Sequence, residues 1–269
     1  MKSFLFLLLF PMAMLAGETG LRGGEFYFEW GYNTEWYSKS NIHVVQNGLN
    51  NDFNFVQVQA HDHIGWDKLF ARALTIPQYN YRIGYYFGEN HLWGFEINFD
   101  HTKYVVTQGQ NAEVKGKVNG RMVDSTYTLT TNVLMYQLNN GANFFLLNIV
   151  RRFPFFEVPY LKHTALLGVA KYGIGPLVPH VQNTIFGNAN DPHFQVGGIN
   201  TGLEAGLQLV IGRHVYLEFT NKVDYANYFG LRVYGGEVNQ QFFTYELIGT
   251  LGIKFGSSKA AKCDCPQFK

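Results

Sequence analysis

The residues Asp100-His101-Thr102-Lys103 put a carboxylate, an imidazole and an ammonium within four positions. An imidazole exchanges protons near neutral pH and a lysine binds phosphate, so this run is a candidate for acid–base or anion-binding chemistry. A second candidate is His61-Asp62-His63. Residues two apart on an extended chain share a face, so His61 and His63 can grip one metal ion if a third ligand arrives from elsewhere. His43, His180 and His193 are the histidines available for that role. A third group is dispersed but regular, comprising Glu25, Glu29, Arg82, Glu96, Asn98, Glu204, Glu218, Lys222 and Glu246, each in the middle of an alternating segment. Cys263 and Cys265 are the only cysteines. One intervening residue makes a strained ring if they pair, and a two-thiolate metal clip or an intermolecular bridge are the alternatives. Serine-based deacylation needs a serine beside a histidine on one strand. Ser125 lies in a connecting segment and the alternating segments contain no serine, so that set is missing.

What must position these residues is a β-structure. The chain has 269 residues, 17% of them aromatic, with 24 Phe, 17 Tyr and 29 Gly, a mixture that suits aromatic-rich strands joined by turns. A formal net charge of +1 with 15% charged residues leaves no basic field for nucleic acid. Lys2 precedes a nearly unbroken apolar run, Ser3 to Leu15, followed by the small residues Ala16 and Gly17. That pattern predicts a secretory signal peptide over residues 1–17, and no cysteine follows it to carry a lipid anchor. No later apolar stretch is long enough for a membrane helix. The exported chain is therefore either a soluble sandwich, with apolar stripes hidden between sheets, or a barrel that turns them to lipid.

The strand pattern favours the barrel. Phe26, Phe28, Trp30 and Tyr32 alternate with Glu25, Glu29, Gly31 and Asn33; Tyr79, Tyr81, Ile83, Tyr85 and Phe87 oppose Asn80, Arg82 and Gly84. Trp93, Phe95, Ile97 and Phe99 oppose Gly94, Glu96, Asn98 and Asp100. Towards the C-terminus, Leu203 to Ile211 oppose Glu204 and Gln208, Val215, Leu217 and Phe219 oppose Glu218, Thr220 and Lys222, and Phe243 to Phe255 oppose Thr244, Glu246 and Thr250. Charged residues in mid-strand opposite large aromatics, in segments of about ten, are the transmembrane-barrel pattern. Two less regular segments, 142–153 and 163–176, complete the set: Phe145, Leu147 and Ile149 alternate with Asn148, and Ala165, Leu167 and Val169 with Gly168.

Parity sets the count. Both chain ends of such a barrel are periplasmic, and the short turns at 88–91 and 212–213 must be periplasmic as well. Eight antiparallel strands satisfy this, within a barrel domain over 18–256 and a short periplasmic tail over 257–269. Outer loops then fall at 38–76, 107–141, 177–198 and 227–241. The stretch 124–138 also reads as extended; as a hairpin in the second outer loop it leaves eight strands, and as part of the wall it makes ten. On this layout His101 and Lys103 stand on the lipid-facing side just above the apolar band, at the height of lipopolysaccharide phosphates, unless a bulge reverses the phase. The nine mid-strand polar residues line the lumen, where an eight-stranded barrel has room only for side chains that pair with one another or with water.

Several stretches together resemble the small outer-membrane barrels of the lipid A oxidase-like and OmpA-like type. They are Gly65-Trp66-Asp67-Lys68-Leu69-Phe70, Ile76 to Arg82, Trp93 to Tyr104, Asn148 to Phe153 and Gly175 to Val181, in order over roughly residues 60–255. The resemblance implies an eight-stranded outer-membrane fold, a surround of lipopolysaccharide, and assembly machinery that recognises a last strand ending at Phe255. It offers Asp100, His101 and Lys103 as catalytic candidates and His101 and Lys103 as lipid-binding ones. Three functions follow from these readings: a structural or surface-interaction barrel, a lipid A-modifying enzyme, and a narrow pore, the last disfavoured by a filled lumen.

Overall fold

The computed structural model describes residues 24–63, 78–88, 90–138 and 141–256. The expected signal peptide, the periplasmic tail with Cys263 and Cys265, and the stretch Gly65 to Phe70 lie outside these residues.

From the N-terminal side, β1 (Glu25–Tyr37) rises through the wall, and β2 (Ser40–Gln46), β3 (Asn51–Val58) and β4 (Ala60–His61) follow beyond its outer end. The chain descends in β5 (Tyr79–Phe87) and rises again in β6 (Trp93–Asp100). Beyond the wall come β7 (Tyr104–Val106), β8 (Asn111–Val118), β9 (Arg121–Thr128) and β10 (Leu134–Leu138). Two further wall strands, β11 (Phe144–Glu157) and β12 (Ala165–Pro176), lead to three short outer ones, β13 (His180–Ile185), β14 (Asn188–Ala189) and β15 (His193–Phe194). The last three are β16 (Gly198–Ile211), β17 (Val215–Val233) and β18 (Gly236–Gly256).

Eight of these close into a ring in the order β1-β5-β6-β11-β12-β16-β17-β18, and β18 pairs antiparallel with β1 from Glu25↔Gly256 to Tyr37↔Thr244. Closure removes every open edge, the condition for a sheet to sit in hydrocarbon. The eight segments expected from sequence are the eight wall strands. The ten-strand alternative fails because 124–138 falls in β9 and β10, which pair with β8, β7 and β13 outside the ring.

Along each wall strand the side chains alternate between lipid and lumen. Leu147 is 65% exposed and Leu203 63%, with Phe28, Ile83, Phe95, Ile97, Ile149, Phe219 and Leu251 on the same outer surface. Phe26, Phe87, Trp93, Phe153 and Phe255 stand at one rim of this belt; Trp36, Tyr79, Tyr245 and Phe243 stand at the other. Aromatic girdles of this kind mark the two interfaces. Inward space is tight enough that the rings of Tyr27 and Tyr216 occupy the places a Cβ would take at Gly84 and Gly252.

In one wall strand the sequence pattern pointed the wrong way. On β12 the inward row is Leu167, Val169 and Lys171, and Gly168 faces outward. Leu167 and Val169 pack instead against Tyr27, Tyr86, Val150, Val210 and Tyr216, an apolar cluster at the periplasmic end of the lumen.

The stretches expected to be loops form a second body. β17 and β18 run 19 and 21 residues, about twice what a tilted strand needs to cross the membrane. Their outer halves project beyond the wall as a hairpin, and β2, β3, β8 and β9 extend the same sheet from β18. A second sheet, β14-β13-β10-β7-β4 with β15 on β13, supplies the opposite side. Both contribute to one apolar core: Ile42, Val44, Phe53, Phe55, Val114, Tyr228 and Phe242 from the first, Val106, Leu134, Tyr136, Leu138, Val181 and Ile185 from the second. With the outer loop expected only from residue 107, the wall strand should have run to that point; it ends instead at Asp100, since β7 leaves the wall to pair with β4 and β10. Folding these segments together buries apolar surface that free loops would leave in water.

Candidate functional site

The lumen is the most densely built polar region of the protein. Glu25, Glu29, Arg82, Glu96, Asn98, Glu204, Glu218, Lys222 and Glu246 all point inward and are buried. Carboxylates outnumber cations, so each cation serves several. Lys171 Nζ lies 2.7 Å from Glu218, 2.9 Å from Glu96, 3.7 Å from Glu204 and 3.8 Å from Glu29. Arg82 reaches Glu204 at 3.1 Å, Glu96 at 3.5 Å, Glu29 at 3.7 Å and Asp100 at 3.8 Å. Neutral donors complete the acids: Tyr27 and Asn148 donate to Glu96, Tyr216 and Thr250 to Glu29, Gln208 to Glu218, and Thr220 to Glu204. Nearer the outer end, Lys222 lies 2.6 Å from Asp100, 3.0 Å from Asp224 and 3.5 Å from Glu246. Towards the periplasm, Glu25 takes Arg152 and Lys254, each at 3.2 Å. Arg152 lies 3.4 Å over the centre of the Tyr86 ring.

Above Lys222 the lining changes. Tyr104, Gln240 and Ser40 share hydrogen bonds of 2.7–3.1 Å, and the Tyr104 ring stacks on Phe242 with centres 4.7 Å apart. Tyr228 donates to the Ala142 carbonyl. This layer is the base of the outer core. Among the described residues the interior is thus closed twice, by interlocked ion pairs and by an apolar cap.

The rim candidates do not converge. No bulge reverses the phase after β6, so Asp100 faces the lumen and His101 the outside. The Asp100 carboxylate is held by Lys222 and Asn98. The His101 ring stacks on Tyr79 at 4.7 Å, with Nδ1 3.0 Å from Asn143 Oδ1. Burial beyond the end of the wall strand pushes the His101 pKa down to about 4, against the Asn143 hydrogen bond and with help from Lys103. The imidazole is neutral at physiological pH, and Asp100 does not orient it. Lys103 turns outward and donates to the His63 carbonyl.

The histidine pair fares similarly. His61 and His63 are both exposed, β4 ends at His61, and His61 Nδ1 lies 3.0 Å from Thr107 Oγ1. His43 is paired with Asp52 at 2.8 Å, and His180 packs on Phe194. Among the described residues no group of three His, Cys, Asp or Glu side chains has metal-binding geometry. Asp62, between the two histidines, turns instead to Thr34, Gln78 and the Glu35 amide, where burial raises its pKa above the usual carboxylate value.

Sequence reasoning missed Lys171, Arg152, Asp224 and Glu35 as lumen residues. The inward parity of Arg152 and Lys171 was readable by extending β11 and β12, but the apolar Leu167 and Val169 beside Lys171 masked it.

A closed eight-stranded ring with an ionic interior, a lipid-facing belt and two aromatic girdles defines the class: this is an integral outer-membrane β-barrel, placed in the bacterial outer membrane. No family model matches the chain, and no curated protein does. Among solved structures it is similar to Ail, the attachment invasion locus protein of Yersinia pestis, at 12% identity and a TM-score of 0.32, over 87% of this chain and 99% of that one. The outer membrane protein OprG of Pseudomonas aeruginosa is similar at 12% identity and TM-score 0.39, over 88% and 99%. The outer membrane protease OmpT of Escherichia coli is similar at 9% identity and TM-score 0.37, over 88% and 97%. Likeness at this level carries no argument about activity, and the assignment to a class rests on the strand pairing and belt of this chain itself.

Proposed function

We propose that this chain is a surface-interaction protein, in which the barrel is a membrane anchor and the outer lobe is the working part. The observation that carries the reading is the continuity of β17 and β18 from the membrane belt into a lobe with its own apolar core. A rigid, sheet-built lobe presents a fixed surface, as recognition requires. The filled lumen supports the same reading by opposing a pore. At the rim, the divergence of Asp100 from His101 gives no support to a lipid A-modifying reaction. Within this proposal lipopolysaccharide surrounds the outer girdle, where His101 and Lys103 stand at headgroup height, and the assembly machinery engages the last strand through Phe255.

The test compares cells making the full chain with cells making a variant whose β8–β9 hairpin is replaced by a short turn. Heat-modifiable mobility verifies the barrel in both. Loss of attachment to host-cell or abiotic surfaces, or of envelope integrity, with the barrel folded, is the expected result. Unchanged attachment and integrity, also after deletion of the whole protein, contradict the proposal. A new lipid A mass that depends on His101 would replace it with the enzymatic reading.

A further inference from the structure

The wall has no open edge, but the sheets of the lobe do. On the second sheet the terminal strands β4 and β14 have two residues each, too short to template another strand. On the first sheet the terminal strand is β9, eight residues without a proline or a bulge. Among the described residues nothing pairs with its far side. Met122 is 79% exposed and the Asp124 side chain 77%.

The turn before β9 decides which of its backbone groups are free. Asn119 and Gly120 both have positive φ, 49° and 77°, as a two-residue type I′ hairpin requires, so the flanking pair Val118 and Arg121 is a hydrogen-bonded one. The same parity holds at the far end, where the Leu129 N–H donates to the Gln110 carbonyl at 2.8 Å. Arg121, Val123, Ser125 and Tyr127 therefore turn their backbone groups to β8, while Met122, Asp124, Thr126 and Thr128 point theirs off the edge. Side chains follow the same alternation. Ser125 and Tyr127 stand opposite the buried Val114 and Ala112 on the core face, where Val123 and Tyr127 are only partly covered.

We propose that this edge pairs with the β9 of a second copy of the chain, antiparallel about a two-fold axis at Ser125. Hydrogen bonding across the edge requires even-numbered residues to face even-numbered ones. An axis at Ser125 sets Met122 against Thr128 and Asp124 against Thr126, so the free groups of all four residues are used in each copy. On the core face it sets Val123 against Tyr127 twice, a β-branched residue on an aromatic ring. Charge rules against the neighbouring register, since an axis at Asp124 brings two carboxylates face to face. Axes at Val123 or Thr126 leave free groups beyond the partner strand. A second copy thus carries the matching row by symmetry, as an isologous contact requires. A contact one strand wide falls well short of the about 800 Å² per partner that a stable complex buries. Pairing therefore shows where many copies face one another in membranes, not as a dimer in dilute detergent. The proposal rests on the reading of the lobe as the working part and names a partner for it.

The experiment is disulfide trapping of the full chain in lipid vesicles at high protein density, with Cys263→Ser and Cys265→Ser as background. Ser125→Cys stands on the axis, facing its own copy in a non-hydrogen-bonded pair with Cα atoms about 4.5 Å apart, within disulfide reach. Oxidised glutathione is expected to join it into a covalent dimer. Met122→Cys lies roughly 20 Å from its own copy, at about 3.3 Å per residue along the strand, and is expected to give none. Adding Thr126→Pro removes an N–H that points off the edge and leaves the β8 ladder intact. It should lower the Ser125→Cys yield roughly tenfold, whereas Thr126→Val should not. Heat-modifiable mobility shows that each variant has folded. No dimer from Ser125→Cys, an equal dimer from Met122→Cys, or a yield untouched by Thr126→Pro overturns the pairing. In whole cells, Ser125→Cys joined to a different protein overturns the second copy as occupant. These variants keep the hairpin, so absence of a dimer alongside hairpin-dependent attachment faults the pairing and leaves the role of the lobe standing.

Discussion

Asp224 and Ala226 stand two residues apart on the inward face of β17, and between them the interior changes from ionic to apolar. Below, the face reads Glu218, Thr220, Lys222 and Asp224; above, it reads Ala226, Tyr228, Leu231 and Val233 after a bulge. β18 makes the same change between Thr244 and Phe242. Between Asp224 and Ala226 the side-chain phase does not reverse; on β17 it shifts only later, at the bulge between Tyr228 and Leu231. What changes is the surroundings: lipid encloses the lower halves and water the upper, so one strand serves a polar-cored barrel and then an apolar-cored lobe.

The lobe should therefore respond to mutation as a globular core. Phe55 is fully buried among both outer sheets. Phe55→Ala is expected to cost about 3–5 kcal/mol locally, the usual range for such a cavity. The check is limited proteolysis of the folded barrel, with new cleavage expected in the lobe and unchanged heat-modifiable mobility.

Lys171 should be the most sensitive lumen cation, since two of its four carboxylates lie at 2.7 and 2.9 Å, whereas Arg82 reaches its four at 3.1–3.8 Å. Lys171→Met leaves Glu29, Glu96, Glu204 and Glu218 without it, and breaking buried pairs of this kind costs about 3–5 kcal/mol. Urea unfolding in lipid vesicles should show a lowered midpoint, partly restored when Glu218→Gln is added. An unchanged midpoint would mean that the lumen acids do not depend on this cation.

His101 supplies a pH signature. Its folded pKa, about 4, lies below the ordinary 6.5, so the unfolded chain binds more protons between these values. The stabilising contribution is complete above about 6.5 and is lost as pH falls towards 4. His101→Gln should flatten the pH dependence of unfolding in this window, and the imidazole resonances of His101 should not titrate above pH 5. A midpoint near 6.5 would contradict the buried, stacked geometry.

The barrel was legible because its signal is strictly periodic: lipid demands apolar side chains at every second position, as Phe26, Phe28 and Trp30 show. The lobe was not, because its strands are short and their partners distant. Tyr104 pairs with Leu138, and Phe53 with Gly116, contacts no local alternation encodes. Asp100 was read correctly as inward within its strand, but sharing a rim run with His101 made the two look like partners. Leu167 misled for a related reason, being an apolar residue on the inward face that packs against the aromatic cluster of Tyr27, Tyr86 and Tyr216 inside an otherwise ionic lumen.

Ion conduction offers a separate check. Planar-bilayer recordings of the refolded chain should show no stable openings, since the ion pairs and the lobe core block the same axis. Reproducible conductance steps that persist in a purified, fully folded sample would restore the pore reading.

Amide hydrogen exchange on the membrane-embedded protein addresses the lobe most directly. Amides of β2, β3, β8, β10 and β13 should exchange as slowly as those of the wall strands, with protection lost together in Phe55→Ala. Rapid exchange across those strands, with the wall still protected, would show that the outer segments are loops and that the barrel carries no folded lobe.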